Sequence, residues 1–116
     1  MLTPSSAKVA VTGGAGFIGS HLVDHLLGAG NHVTVIDDLS SGSLDNLAQH
    51  GSNPMLRLAV ASVLDCAAIE SALDGVHYVF HLATRNVRLS LRQPSLVHEV
   101  NTVGTYNVLR AAATKR

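Results

Sequence analysis

Apolar residues fall along this chain in short runs, and the period changes from run to run. Lys8 to Thr12 carries the continuous run Val9-Ala10-Val11, and His32 to Ile36, Met55 to Val60 and His77 to Leu82 are similar short runs. Runs of this length bounded by glycine or polar breaks predict strands, and the near-continuous Val9-Ala10-Val11 suits one covered on both faces. Between them the spacing turns helical. Ile18, Leu22, Val23 and Leu26 form one stripe in a helix over Phe17 to Ala29, with His21, Asp24, His25 and Gly28 on the other side and Gly30 as its stop. Ser43 to His50 reads as a short helix broken by Gly51-Ser52-Asn53-Pro54. Asp65 is placed to cap a helix through Leu73, with Ile69, Ala72 and Leu73 inward and Gly75 as its end. Ala83 to Arg92 reads as loop. Pro94, tolerated in a first turn, opens a last helix through Val97, Val100, Gly104, Val108 and Ala111.

Alternating strands and helices call for an α/β fold, a doubly wound parallel sheet with helices on both faces. Short right-handed connections give the strand order 3-2-1-4. The order reverses beside the first strand, and the crevice beyond the strands' carboxyl ends at that point is where ligands bind in such sheets.

The break after the first strand carries the chemistry. Gly14-x-Gly16-x-x-Gly19 overlaps Thr12-Gly13-x-x-Gly16-x-x-Gly19 and opens a helix. One glycine turns the chain out of the strand, Gly16 lets a pyrophosphate approach the backbone, and Gly19 lets helix and strand pack closely. The helix N-terminus adds unpaired N–H groups and a favourable dipole. Asp37 ends the second strand, where an acid accepts hydrogen bonds from adenosine ribose hydroxyls.

Composition narrows the alternatives. A chain of 116 residues, 47% hydrophobic and 14% charged, forms one domain with a packed core. Its formal net charge is zero, without a basic patch and with few aromatic residues, which argues against a nucleic-acid partner. No apolar run is long enough for a membrane span, and residues 1 to 6 read as a short mobile arm rather than a signal peptide. The single cysteine, Cys66, reads as an inert small core residue and fits a reducing, cytoplasmic location. His21 and His25, four apart, lack a third metal ligand at a sensible spacing and read as a solvated helix face.

Several motifs then agree. TGGAGFIGSHLVD at Thr12 to Asp24, VIDDLSSG at Val35 to Gly42, HLAT at His81 to Thr84 and Asn101-Thr-Val-Gly-Thr105 resemble the N-terminal, Rossmann-type half of the extended short-chain dehydrogenase/reductase family. Within it the chain is similar to the NAD-dependent epimerases and dehydratases of nucleotide sugars, from Lys8 to the end. The resemblance implies an NAD-binding domain over residues 1–116 and a site taken over position by position. Gly13, Gly16 and Gly19, with Phe17 and Ile18, would meet the pyrophosphate. Asp37 would hold the adenosine ribose, with Asp38, Leu39, Ser40, Ser41 and Gly42 around the adenosine. Ser62 and Val63 would lie along the adenine, Leu82, Ala83 and Thr84 along the nicotinamide, and Asn101 behind the site. It also implies a nucleotide-sugar substrate for the complete enzyme and a homodimer through the last helix, whose valines Val97, Val100, Val103 and Val108 fall on more than one side.

Two positions depart from the family pattern: Ser62 stands for a customary Asp, and Thr84 for a small apolar residue. The family's Tyr-x-x-x-Lys pair, which works on the proton of the reacting oxygen, has no counterpart here. Tyr106-x-x-x-Arg110 has the spacing but lies on the Asn101 helix, and arginine keeps its proton. By themselves the 116 residues are therefore expected to bind cofactor without turnover, and a stand-alone binding module or a non-catalytic fragment is the alternative. Asp37 would repel a 2′-phosphate, and neither Thr12–Gly19 nor Asp37–Gly42 holds a cation to offset that, so NAD is expected over NADP.

Overall fold

The computed structural model describes residues 4–115. Four strands, β1 (Lys8–Thr12), β2 (His32–Asp37), β3 (Leu56–Val60) and β4 (Tyr78–His81), form one parallel sheet in the order β3-β2-β1-β4, as expected. Strand register puts Thr12 opposite both Ile36 and His81, so the carboxyl ends of β1, β2 and β4 finish together.

Alternation along the strands splits the core in two. Val9, Val11, Val33 and Val35 face α1 (Phe17–Gly28), packing with Val23, Leu26 and Leu47. Ala10 and Ile36 point to the opposite side, against Ile69, Ala72 and Leu73 of the α2 segment (α2, Cys66–Ala72) and Val100, Val108 and Ala111 further on. Both faces of the central strands β1 and β2 are thereby withdrawn from water, at roughly 25 cal/mol per Å² of apolar surface, whereas the edge strands β3 and β4 stay partly exposed, with Val60 and Tyr78 open to solvent. Among the described residues no helix is long and apolar enough to cross a membrane.

The expected helices form, with Asp65 accepting from the Ala68 N–H and Ser43 capping a 3₁₀ turn over Leu44–His50. Five expectations are corrected. Ile18 is 72% exposed rather than in the buried stripe, because the first turn of α1 stands over the crevice instead of the sheet; Gly19 and Ser20 take the buried places. Cys66 is exposed, as it begins α2 on the side away from the sheet. The stretch Ala83 to Arg92 contains a short helix, α3 (Val87–Ser90), capped by the Asn86 side chain on the Leu89 N–H. The last helix is not uniform: α4 (Pro94–His98) passes through a π-helical turn, Glu99–Gly104, into α5 (Thr105–Lys115). The expected mobile arm lies partly in residues 1–3, outside the described residues. From Pro4 on the chain is tied down, since the fully buried Asn31 accepts from the Ala7 N–H (3.1 Å) and donates to the Pro4 carbonyl (2.7 Å).

Candidate dinucleotide site

A groove of about 350 Å³ lies across the carboxyl ends of the strands. Three segments distant in sequence meet there. The glycine turn supplies Gly13, Gly16 and Gly19 with Phe17 and Ile18; the β2 loop supplies Asp37, Asp38, Ser40, Ser41 and Gly42; the β4 end supplies Leu82, Ala83 and Thr84. Val63 closes the floor.

Backbone demands shape the glycine turn. Gly13 has φ +72°, and a Cβ there would sit 2.9 Å from the Ala83 N. A Cβ on Gly19 would overlap the Gly13 carbonyl. No side chain caps α1 at Gly16, so its first-turn N–H groups face the groove without a side-chain partner. Asp37 joins this turn to the β2 loop. Only 8% exposed, it accepts from the Ala15 N–H (3.0 Å) with one oxygen and from the Leu39 N–H (2.8 Å) with the other. A carboxylate has about four acceptor positions, so two remain after these bonds.

The β4 end is held by a chain of hydroxyls. The buried Thr12 Oγ1 accepts from the Leu82 and Ala83 N–H groups, at 3.0 and 3.1 Å. Its own proton is therefore directed at His81 Nδ1, 2.7 Å away. That fixes the proton of His81 on Nε2, which donates to Thr105 Oγ1 (2.9 Å), whose hydroxyl donates to the Asn101 carbonyl (2.8 Å). Burial pushes the His81 imidazole below the ordinary value of 6.5, so the ring is neutral as this arrangement needs. The network fixes the Leu82-Ala83 backbone against β1.

Three residues expected in the site lie outside the groove's lining. Ser62 accepts from the Leu64 N–H (3.1 Å) and shapes a turn, while its neighbours Ala61 and Val63 line the groove. Leu39, at φ +63°, packs on the core. Asn101 holds the loop after β4 from behind: its Oδ1 accepts from Thr84 Oγ1 (2.9 Å) and the Arg85 N–H (2.8 Å), and its Nδ2 donates to the Arg85 carbonyl (3.1 Å). Tyr106, 61% exposed on α5, does not reach the groove.

Arg85 is a groove residue that the sequence patterns did not indicate. One guanidinium nitrogen donates to Asp38 Oδ2 (2.8 Å), a second bonds Ser40 Oγ, and Nε is buried without a partner. Burial alone would raise the Asp38 carboxyl, but the Ser40 hydroxyl and N–H and the Arg85 charge outweigh it and hold it below 3.8. Only its place in the fold marks this arginine: it follows H-x-A-x at the strand end that borders the crevice.

Residues 9–116 match the model of the family described as "NAD dependent epimerase/dehydratase family". The chain belongs to this family. Among its relatives is UDP-glucuronic acid decarboxylase 1 of Arabidopsis thaliana, 38% identical over 106 residues, covering 90% of this chain and 23% of that protein. Cinnamoyl-CoA reductase 1 of Oryza sativa subsp. japonica is 42% identical over 107 residues, 90% of this chain and 30% of the relative. Among solved structures, the dTDP-glucose 4,6-dehydratase of Streptomyces venezuelae, with NAD bound, superposes with a TM-score of 0.88 at 34% identity, over 93% of this chain and 36% of that one. The chain thus spans about a quarter to a third of the length of these relatives. The family's dinucleotide fits the residues present: a glycine turn packed too closely for side chains at Gly13 and Gly19, an uncapped helix N-terminus and an acid with free acceptor positions converge on one groove.

Proposed function

We propose that this chain is the NAD-binding part of an enzyme that acts on nucleotide sugars by transient oxidation. The observation that carries the reading is the convergence of the glycine turn, Asp37 and the Leu82–Thr84 strand end on a single groove at the point where the strand order reverses. When bound, NAD supplies a hydride acceptor for a sugar carbon and can return the hydride after inversion, elimination or decarboxylation.

The chain's own residues bind and orient. The first turn of α1 directs N–H groups at the pyrophosphate. Asp37, held by two backbone N–H groups, offers its remaining acceptor positions to the adenosine ribose. Asp38, Ser40, Ser41 and Gly42 flank that ribose, and Val63 lies along the adenine. Leu82, Ala83 and Thr84, fixed by Thr12 and Asn101, form the nicotinamide side. Leu39, Ser62 and Asn101 shape these surfaces through the turns and loop they hold, rather than by touching the cofactor. The sugar nucleotide is recognised, and its proton handled, by residues other than these; the 116 residues alone bind NAD and do not turn over. The protein works in a reducing cytoplasm, and two copies pair through the outward side of the last helix, where Val103, Tyr106 and Leu109 are exposed.

Calorimetric titration with NAD tests the reading. The purified chain should bind with a Kd below about 1 mM, and ligand at about 100 times Kd should stabilise it by about 2.7 kcal/mol. A folded chain that gives neither heat nor stabilisation is incompatible with a working dinucleotide groove.

A further inference from the structure

At Ser40, Ser41 and Arg85 the dinucleotide groove adjoins a second depression of about 590 Å³. Its remaining lining includes Arg88 and Arg92, which are exposed, one helical turn apart on and just after α3. Three arginines thus line one depression beside the loop that flanks the adenosine ribose in the proposed function. Arg85 is the one cation lining both grooves. Its side chain is 15% exposed, with two nitrogens on Asp38 and Ser40 and a buried Nε that no protein atom satisfies. Arg85 therefore keeps hydrogen-bonding capacity that its protein partners do not use.

We propose that this arginine pocket is a phosphate subsite beside the adenosine ribose, masked by Asp38, and that the Asp38–Arg85 pair decides whether a 2′-phosphate is admitted. The proposal rests on the dinucleotide reading. From the sequence, NAD is expected because Asp37, with Asp38 beside it, would repel a 2′-phosphate and neither Thr12–Gly19 nor Asp37–Gly42 carries a cation. The fold changes that balance by bringing in Arg85, Arg88 and Arg92 from a segment some forty-five residues away from Ser40. Against Asp37 and Asp38 the local formal charge is then slightly positive. What excludes a 2′-phosphate is that Asp38 presents like charge to it and occupies the guanidinium that would otherwise bind it bidentately. Asp38→Asn keeps an oxygen to accept from the Ser40 N–H (3.0 Å in the wild type) and removes the charge that pairs with Arg85.

The test is a cycle of Asp38→Asn, Arg85→Ala and the double variant, titrated by calorimetry with NAD and with NADP. Wild type should prefer NAD. Asp38→Asn should tighten NADP binding about tenfold or more while changing NAD much less, and the double variant should lose that gain. Arg88→Glu, at an exposed position outside the ribose loop, should weaken NADP in the Asp38→Asn background and leave NAD unchanged. In that background, 2′,5′-ADP should compete better than 5′-AMP. Equal competition, or displacement by inorganic phosphate alone to the same degree, would show an anion patch unconnected with the ribose and overturn the proposal. So would a shift of NAD and NADP together, or a gain that survives loss of Arg85. If wild type binds neither dinucleotide, the functional reading fails and takes this inference with it; if it binds NAD normally, only the inference is at stake.

Discussion

Asn101 shows how one residue acts on a groove it does not line. Its amide makes three bonds to Thr84 and Arg85, two of them to the Arg85 backbone, so the first turn of the loop after β4 hangs on a single side chain. Arg85 in turn reaches Asp38 and Ser40. Asn101→Ala leaves a part-buried N–H and carbonyl without partners, at about 1–3 kcal/mol. We expect urea denaturation to show a loss of that order and the NAD titration to weaken, with Asn101→Asp intermediate because it keeps the acceptor and loses the donor. Unchanged affinity in a destabilised Asn101→Ala protein would separate the loop from the site. At this scale the sequence told much about the glycines and Asp37, whose roles follow from backbone chemistry at a strand end. It told little about Ser62 and Leu39, because a short polar or bulky residue near a ligand loop has the same pattern whether it faces the ligand or holds a turn. Arg85 was hidden for another reason: its partners come from a different βα unit.

Elements were legible where a period or a cap announced them. The four strands and α1 followed from apolar runs and the glycine breaks, and the Asp65 cap stands where the side-chain chemistry placed it. The π-helical turn over Glu99–Gly104 was not legible, since one extra residue in a turn leaves the apolar spacing nearly unchanged. It brings Gly104 against Val63 so closely that a Cβ would overlap that side chain, and it contains Asn101. Val103 of this turn and Tyr106 and Leu109 of α5 point outward at 44, 61 and 65% exposure, while α5 buries Val108 and Ala111. Residues three apart on a helix share a face. An apolar strip of this kind on a surface helix favours contact with a second copy. The chain should therefore show concentration-dependent light scattering at micromolar levels, and Leu109→Glu should abolish it while NAD binding persists. Monodisperse monomer in the wild type would remove the helix as a pairing surface.

The whole molecule joins its two core halves to the groove through one part-buried polar line, Thr12–His81–Thr105–Asn101, and that line sets how stability responds to pH. Burial lowers the His81 value below 6.5, so on acidification the unfolded chain takes up this proton first. Where the unfolded state binds more protons, stability rises with pH, so His81 contributes stability that is present above 6.5 and lost as pH falls through its folded value. Protonation also puts a second N–H on the ring, facing a Thr12 hydroxyl that already accepts two backbone donors. Asp24, where burial is outweighed by hydrogen bonds from His50 and Gln49, and Asp38 both have values lowered from 3.8, with the same sign: their stabilisation is lost only in stronger acid. Two windows should thus be separable. The melting midpoint should decline as pH drops below 6.5, well before the carboxylates titrate, and decline again below 3.8. In His81→Gln the first decline should flatten, from a lower starting stability, while the second remains. Because Thr12 also fixes the Leu82 and Ala83 N–H groups, NAD affinity in the wild type should fall through the first window with the stability. A wild-type midpoint that stays flat down to the carboxylate range would mean that His81 gains a proton as easily folded as unfolded, and would break the link drawn here between the sheet's core and the nicotinamide side of the groove.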